Sequence, residues 1–121
     1  MRIPKNLKRL WSKKGDALLL VTGKQDAVIY KASKGTLEKL DTFKMPFSEE
    51  RELIKDFMSE LVVHLKNIKA ESFPSIYLFV PSYVKDQIMR AIPTELRKHI
   101  KAVVQGDYFH LAPAELMLKL A

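Results

Sequence analysis

The sequence predicts a single-domain α/β protein whose mixed five-stranded sheet is built in the order βββαβαβα. Three observations point there. Three short apolar segments, separated by turn residues, open the body of the chain. A long segment with helical apolar spacing comes next, and behind it stands the unbroken apolar run Ile76-Tyr77-Leu78-Phe79-Val80. A strand–helix–strand step of this kind favours a right-handed crossover within one sheet. The 121 residues suffice for one domain that buries about two-thirds of its unfolded surface. Their 47% hydrophobic and 9% aromatic content supports a packed core.

The first strand covers about residues 17–22. It follows a basic start and superficially resembles a signal peptide, yet a secretory core needs roughly 7–15 apolar residues. Here Gly23-Lys24-Gln25-Asp26 ends the run with turn residues and charge. A membrane span needs about 20 apolar residues, so the segment reads as a buried strand and no transmembrane segment is expected. The second strand, near 26–32, carries Val28, Ile29 and Tyr30, the β-branched and aromatic residues that suit a pleated surface. Ser33-Lys34-Gly35 turns the chain into a third strand near 36–43. Its Leu37, Leu40 and Phe43 have helix-like spacing, but its brevity and the flanking Gly35 and Pro46 favour a strand in a meander.

A helix follows over about 48–69. Ser48 is its expected N-cap, and Glu49, Glu50 and Glu52 suit the positive end of the helix dipole. Leu53, Ile54, Phe57, Met58, Leu61, Val62, Leu65 and Ile68 form one apolar stripe. Phe73-Pro74-Ser75 ends it, and residues 76–80 read as a central strand buried on both faces. Pro81-Ser82 starts a second helix, with Ser82 as cap and Val84, Ile88, Met89 and Ile92 apolar. Pro93-Thr94-Glu95 starts a short helix over about 94–99. Ala102-Val103-Val104 is the last strand, and Pro113-Ala114-Glu115 opens a terminal helix with proline in its first turn.

Charge divides the chain differently. It has 21 basic and 14 acidic residues, a formal net charge of +7. Arg2, Lys5, Lys8, Arg9, Lys13 and Lys14 precede the first acid, Asp16, and without these six the balance is nearly neutral. We therefore expect a basic arm over residues 1–15 and an α/β domain over 16–121. Ile3, Leu7, Leu10 and Trp11 allow the arm to be a basic amphipathic helix, with Pro4 tolerated only near its start. Such an arm either covers the sheet or contacts a polyanion. In the second case each neutralised phosphate releases counterions, and Trp11 stacks on an unpaired base. There is no cysteine, which excludes disulfides, thiolate metal sites and a cysteine nucleophile, and suits the cytoplasm.

Three stretches carry a family resemblance. They are the hairpin Leu18-Leu19-Leu20-Val21-Thr22-Gly23-Lys24-Gln25-Asp26-Ala27-Val28-Ile29-Tyr30, the run Ile76-Tyr77-Leu78-Phe79-Val80-Pro81 before a helix, and Leu96-Arg97-Lys98-His99-Ile100 leading to Asp107-Tyr108-Phe109-His110-Leu111-Ala112-Pro113-Ala114-Glu115-Leu116. Over about residues 16–121 the chain resembles the bacterial host-attachment family. Members of that family are similar to the middle domain of archaeal and eukaryotic peptide-chain release factors. The resemblance implies a ribonuclease-H-like topology, and work on the ribosome or on RNA or an attachment role.

Catalytic chemistry does not come with it. A ribonuclease-H-type nuclease needs carboxylates on the first strand and at the end of the central one, converging on two metal ions. Residues 17–22 carry no acid, and the central strand ends Phe79-Val80-Pro81. Glu52, Asp56 and Glu60 lie on the polar helix face beside Lys55, where a solvated surface is the commoner outcome. The Gly-Gly-Gln loop of release factors is absent, and Gly23-Lys24-Gln25 falls in a tight hairpin. Glu60 and His64 share a helix face without a second ligand pair to complete a metal site. His64 reads as a half-buried helix residue, and His99 suits the negative end of a short helix. Tyr77, Phe79 and Tyr83 suggest base stacking, but Tyr77 and Phe79 lie in the expected core strand. Tyr108-Phe109 is the better exposed pair, unless it packs on the terminal helix.

The expectation is thus a non-catalytic domain associated with RNA or the ribosome, with no catalytic residue, metal or cofactor. Arg2, Lys5, Lys8, Arg9, Trp11, Lys13, Lys14 and Lys24 are its candidate contacts. Two rivals stand beside it: an envelope or host-attachment protein whose amphipathic arm meets lipid or a protein partner, and a hydrolase with an unrecognised site.

Overall fold

A strand that is apolar on both faces needs cover on both. In a computed structural model, β1 (Ala17–Thr22), all six residues of which are buried, takes the centre of a five-stranded sheet. The structure describes residues 16–23, 26–33, 36–44, 51–109 and 115–116. β1 pairs antiparallel with β2 (Asp26–Ser33), and the Gly23 N–H donates to the Asp26 carbonyl at 2.9 Å to close the hairpin. β2 pairs antiparallel with β3 (Thr36–Lys44). On its other side β1 pairs in parallel with β4 (Ser75–Val80), which pairs in parallel with β5 (Ile100–Gln105). The order is β3-β2-β1-β4-β5, with only β2 reversed. This is the ribonuclease-H-like arrangement.

Four strands running one way give the sheet an amino end, marked by Asp16, Ser75 and Ile100, and a carboxyl end, marked by Thr22, Val80 and Gln105. The helices return the chain from the second to the first. α1 (Arg51–Asn67) leads into β4, α2 (Lys85–Ala91) and α3 (Thr94–Arg97) into β5. One face of the sheet, with Leu18, Leu20, Ile29 and Leu78, packs against Phe57, Leu61 and Leu65 of α1, Ile88 of α2 and Leu96 of α3. On the other face Leu19, Val21, Val28, Leu37 and Phe79 gather with Tyr108, Phe109 and Leu116. Among the described residues no helix is long and apolar enough to cross a membrane.

The helix-like spacing in β3 has a local cause. Ile29 pairs with Asp41 and Tyr30 with Lys39, so Leu40 is the extra residue of a bulge. Leu37, before the bulge, packs on the second face, whereas Leu40 and Phe43 pack on the helical one. The spacing of three therefore marks a strand that changes face. β5 is longer than residues 102–104. α1 gives way to a 3₁₀ turn at Ala70–Ser72 through Lys69, whose φ of 55° is left-handed for a residue with a side chain. Ser82 is not a helix cap. It begins a 3₁₀ turn, Ser82–Val84, and neither that turn nor α2 has a side-chain cap hydrogen bond, because proline at 81 already fixes the extended entry. Glu115 and Leu116 are helical. The expected cap Ser48 and Pro113 lie outside the described residues.

Candidate functional site at the two ends of the sheet

The predicted contacts Arg2, Lys5, Lys8, Arg9, Trp11, Lys13, Lys14 and Lys24 all lie outside the described residues. Their described neighbours fix where the chain leads to them. Asp16, ion-paired to Lys31 Nζ at 3.6 Å, stands at the amino end, and Gly23 and Asp26, which flank Lys24, stand at the carboxyl end. The six residues of β1 separate these two points by about 20 Å.

At the carboxyl end the Asp26 carboxylate sits on Gly23, where a Cβ would lie 2.1 Å from Oδ1. This is why the hairpin has glycine there. Asp26 Oδ1 and Thr22 Oγ1 are buried with no hydrogen-bond partner. Gly106, at φ +146°, ends β5, and the Tyr108 ring lies 2.9 Å from where its Cβ would be. Tyr83, just beyond β4, is 62% exposed. Its phenol is nevertheless raised above the ordinary 10.0, first by the burial of the part that is covered, then by repulsion from Asp107 and Asp26. Asp107 and Asp26 thus both act electrostatically on one phenol. Among the described residues they gain no third ligand, and no group of three or more His, Cys, Asp or Glu is placed to hold a metal ion.

The raised phenol gives a direct check on this geometry. Removing a like charge favours the phenolate, so Asp107→Asn should lower the Tyr83 midpoint in an ultraviolet titration, with Asp26→Asn acting in the same direction. Tyr30 is also raised, by burial alone, and should not respond. A pKa raised on folding stabilises the fold below the unfolded value and loses that contribution as pH rises through the folded one. Both tyrosines therefore withdraw stability only above about pH 10. An unmoved Tyr83 midpoint in both variants would contradict the arrangement.

His64 has a fuller set of partners than its place on the helix suggested. Nδ1 bonds the Asp41 carboxylate of β3, Nε2 lies 3.3 Å from Glu60 Oε1, and the ring stacks on Phe43 with centroids 4.3 Å apart. Both nitrogens face carboxylates, so the doubly protonated ring donates to both and the neutral ring to one. Sequence showed the Glu60 spacing but not Asp41, 23 residues away on a different element. Asp56 is exposed beside Lys55, as a solvated helix face requires. His99 Nδ1 lies 2.7 Å from the Phe73 carbonyl, which only accepts, so that nitrogen carries the hydrogen. His110 lies outside the described residues.

The aromatics sort by burial. Phe79 is fully buried, with the edge of Tyr108 against it at 5.7 Å, and Tyr77 is half-buried. Tyr108 and Phe109 pack into the second core with Leu116, so the packing explanation holds for that pair. Among the described residues the exposed aromatic is Tyr83. Its position two residues after Pro81, which follows the end of β4 next to the central β1, was the available signal.

No family model matches the chain, and no curated protein sequence does, so the host-attachment resemblance gains no support from either. Solved structures do match. Pelota from Archaeoglobus fulgidus superposes with a TM-score of 0.64 at 16% identity, over 96% of this chain and 35% of that one. Dom34 from S. cerevisiae, a translation termination-like factor involved in RNA quality control pathways and interacting with Hbs1, gives 0.60 at 12% identity, over 96% and 39%. The archaeal translation termination factor aRF1 gives 0.55 at 16% identity, over 86% and 37%. The chain is similar in fold to release-factor-like proteins and spans little more than a third of their length.

Proposed function

We propose that this chain is a non-catalytic binding domain that associates with RNA or the ribosome in translation-related work, in the cytoplasm, with its basic arm contacting phosphates. The observation that supports this reading most is a six-cation segment joined to the amino end of a release-factor-like sheet. The similar factors include one of translation termination and one of RNA quality control. A charged segment of this kind supplies sequence-independent affinity for a polyanion, which is how a small domain without a catalytic constellation adds to a ribosomal complex.

Sedimentation of ribosomes through a sucrose cushion tests the reading. The chain is expected in the ribosomal pellet at low salt and in the supernatant at high salt. Finding it in the supernatant at low salt, with no retention on RNA, overturns the proposal. If it instead binds anionic vesicles, with a blue shift of Trp11 fluorescence, the envelope reading takes its place.

A further inference from the structure

The body of the domain is nearly neutral as a whole but not uniformly so. α1 and α2 both run from the carboxyl to the amino end of the sheet and deliver their last turns there, with Lys66 and Arg90. Lys69 follows α1, and the 3₁₀ turn behind it touches α3, which ends in Arg97. Lys98 follows, and Lys101 stands in β5, one residue past its start. All six side chains are exposed, and the exposed acids nearby are Glu71 and Glu95.

Hydrogen bonds join these segments. Arg97 donates from Nε to the Ile92 carbonyl at 3.0 Å and from Nη2 to the Arg90 carbonyl at 3.1 Å. His99 bonds Phe73, and the Ile76 N–H donates to the His99 carbonyl at 2.8 Å. Ala17 pairs with Ser75, so the root of the arm leaves from the same end.

An ordinary explanation covers part of this. Cations in a last helical turn complement the dipole by about 0.3–1 kcal/mol, which accounts for Lys66, Arg90 and Arg97. It reaches Lys98 as well, the C-cap of α3, but it does not account for Lys69, which lies beyond the end of α1, or for Lys101 in β5. At Lys69 the left-handed backbone favours glycine or asparagine instead. Among the described residues Lys66, Lys69, Arg90, Lys98 and Lys101 make no ion pair. Among the described residues the large exposed apolar side chains, Val63 and Tyr83, are single residues and not the continuous apolar face that a membrane surface requires.

We propose that Lys66, Lys69, Arg90, Lys98 and Lys101 form a second binding surface for the RNA phosphate backbone, continuous with the root of the arm. Arg97 is a positioning residue, tying the end of α2 to α3. The inference rests on the RNA-binding reading above and extends it from the arm to the body.

The test compares the full chain with a variant carrying Lys66→Gln, Lys69→Gln, Lys98→Gln and Lys101→Gln, on a short single-stranded RNA across a salt series. Each phosphate that is no longer neutralised lowers the log–log salt slope by about 0.7, so the variant's slope should fall by about 2 to 3 with its fold intact by circular dichroism. A second variant, Glu71→Gln with Glu95→Gln, should bind more tightly than the unmodified chain. If both variants match the unmodified chain, the patch is overturned while the functional reading stands. If the unmodified chain does not bind RNA at low salt, both fall. Binding only to vesicles containing phosphatidylserine also overturns both.

Discussion

Replacing Arg2, Lys5, Lys8, Arg9, Lys13 and Lys14 together by glutamine is expected to lower the salt slope of RNA binding by about 4, at about 0.7 for each single-strand phosphate that is no longer neutralised. Over a fourfold rise in salt, a slope of that size corresponds to roughly a 300-fold change in affinity, the largest effect any change to this chain should produce. The glutamine series keeps Ile3, Leu7, Leu10 and Trp11. It therefore removes the charge and leaves whatever packing those side chains provide. Deleting residues 1–14 removes both. A slope that falls in the two variants alike assigns the arm to RNA. A slope kept in the glutamine series, with a lowered melting temperature only on deletion, assigns the arm to covering the sheet and ends the functional proposal as it concerns the arm. Fluorescence anisotropy and thermal melts decide between them. Because every neutralised phosphate adds its own share to the slope, the effects of the arm and of the amino-end patch should sum. A chain altered in both should bind RNA with almost no salt dependence.

What was legible in the sequence is what periodicity can carry. Six buried residues in a row at 17–22, the apolar run at 76–80 and the stripe through Phe57, Leu61 and Leu65 each announce an element from its own residues. Their order then limited the sheet to a few topologies. The rest depends on which segments meet. Leu40 reads as helical until its pairing shows the bulge, and His64 reads as a bland helix residue until β3 brings Asp41 to it. The amino-end cations are scattered from 66 to 101 in sequence, mixed with acids. They become one surface only because two helices end where two strands begin. A net charge taken over the whole body averages that polarity away, whereas the arm is contiguous and visible at once.

The second large effect belongs to the core. Phe57→Ala should destabilise the fold by about 3–5 kcal/mol, the range for truncating a buried aromatic. Phe57 is fully buried and sits 5.4 Å from Phe43, which in turn stacks on His64. Removing the ring therefore opens a cavity and takes away one side of the packing that holds β3 under α1. In thermal melts a loss of that size lowers the midpoint by roughly 10–20 °C for a domain of this length. Val63→Ala is the control on the same helix. With 48% of that residue exposed, its change should stay within about 0.5 kcal/mol. The pair also separates stability from binding. Phe57 contributes no charge, so the salt slope of RNA binding should be the same in Phe57→Ala as in the unmodified chain wherever the variant is folded. A slope that fell with Phe57 would mean that the cationic surfaces depend on the seating of α1, and the phosphate-binding groups would then have to be sought along the helix and not only at the end of the sheet.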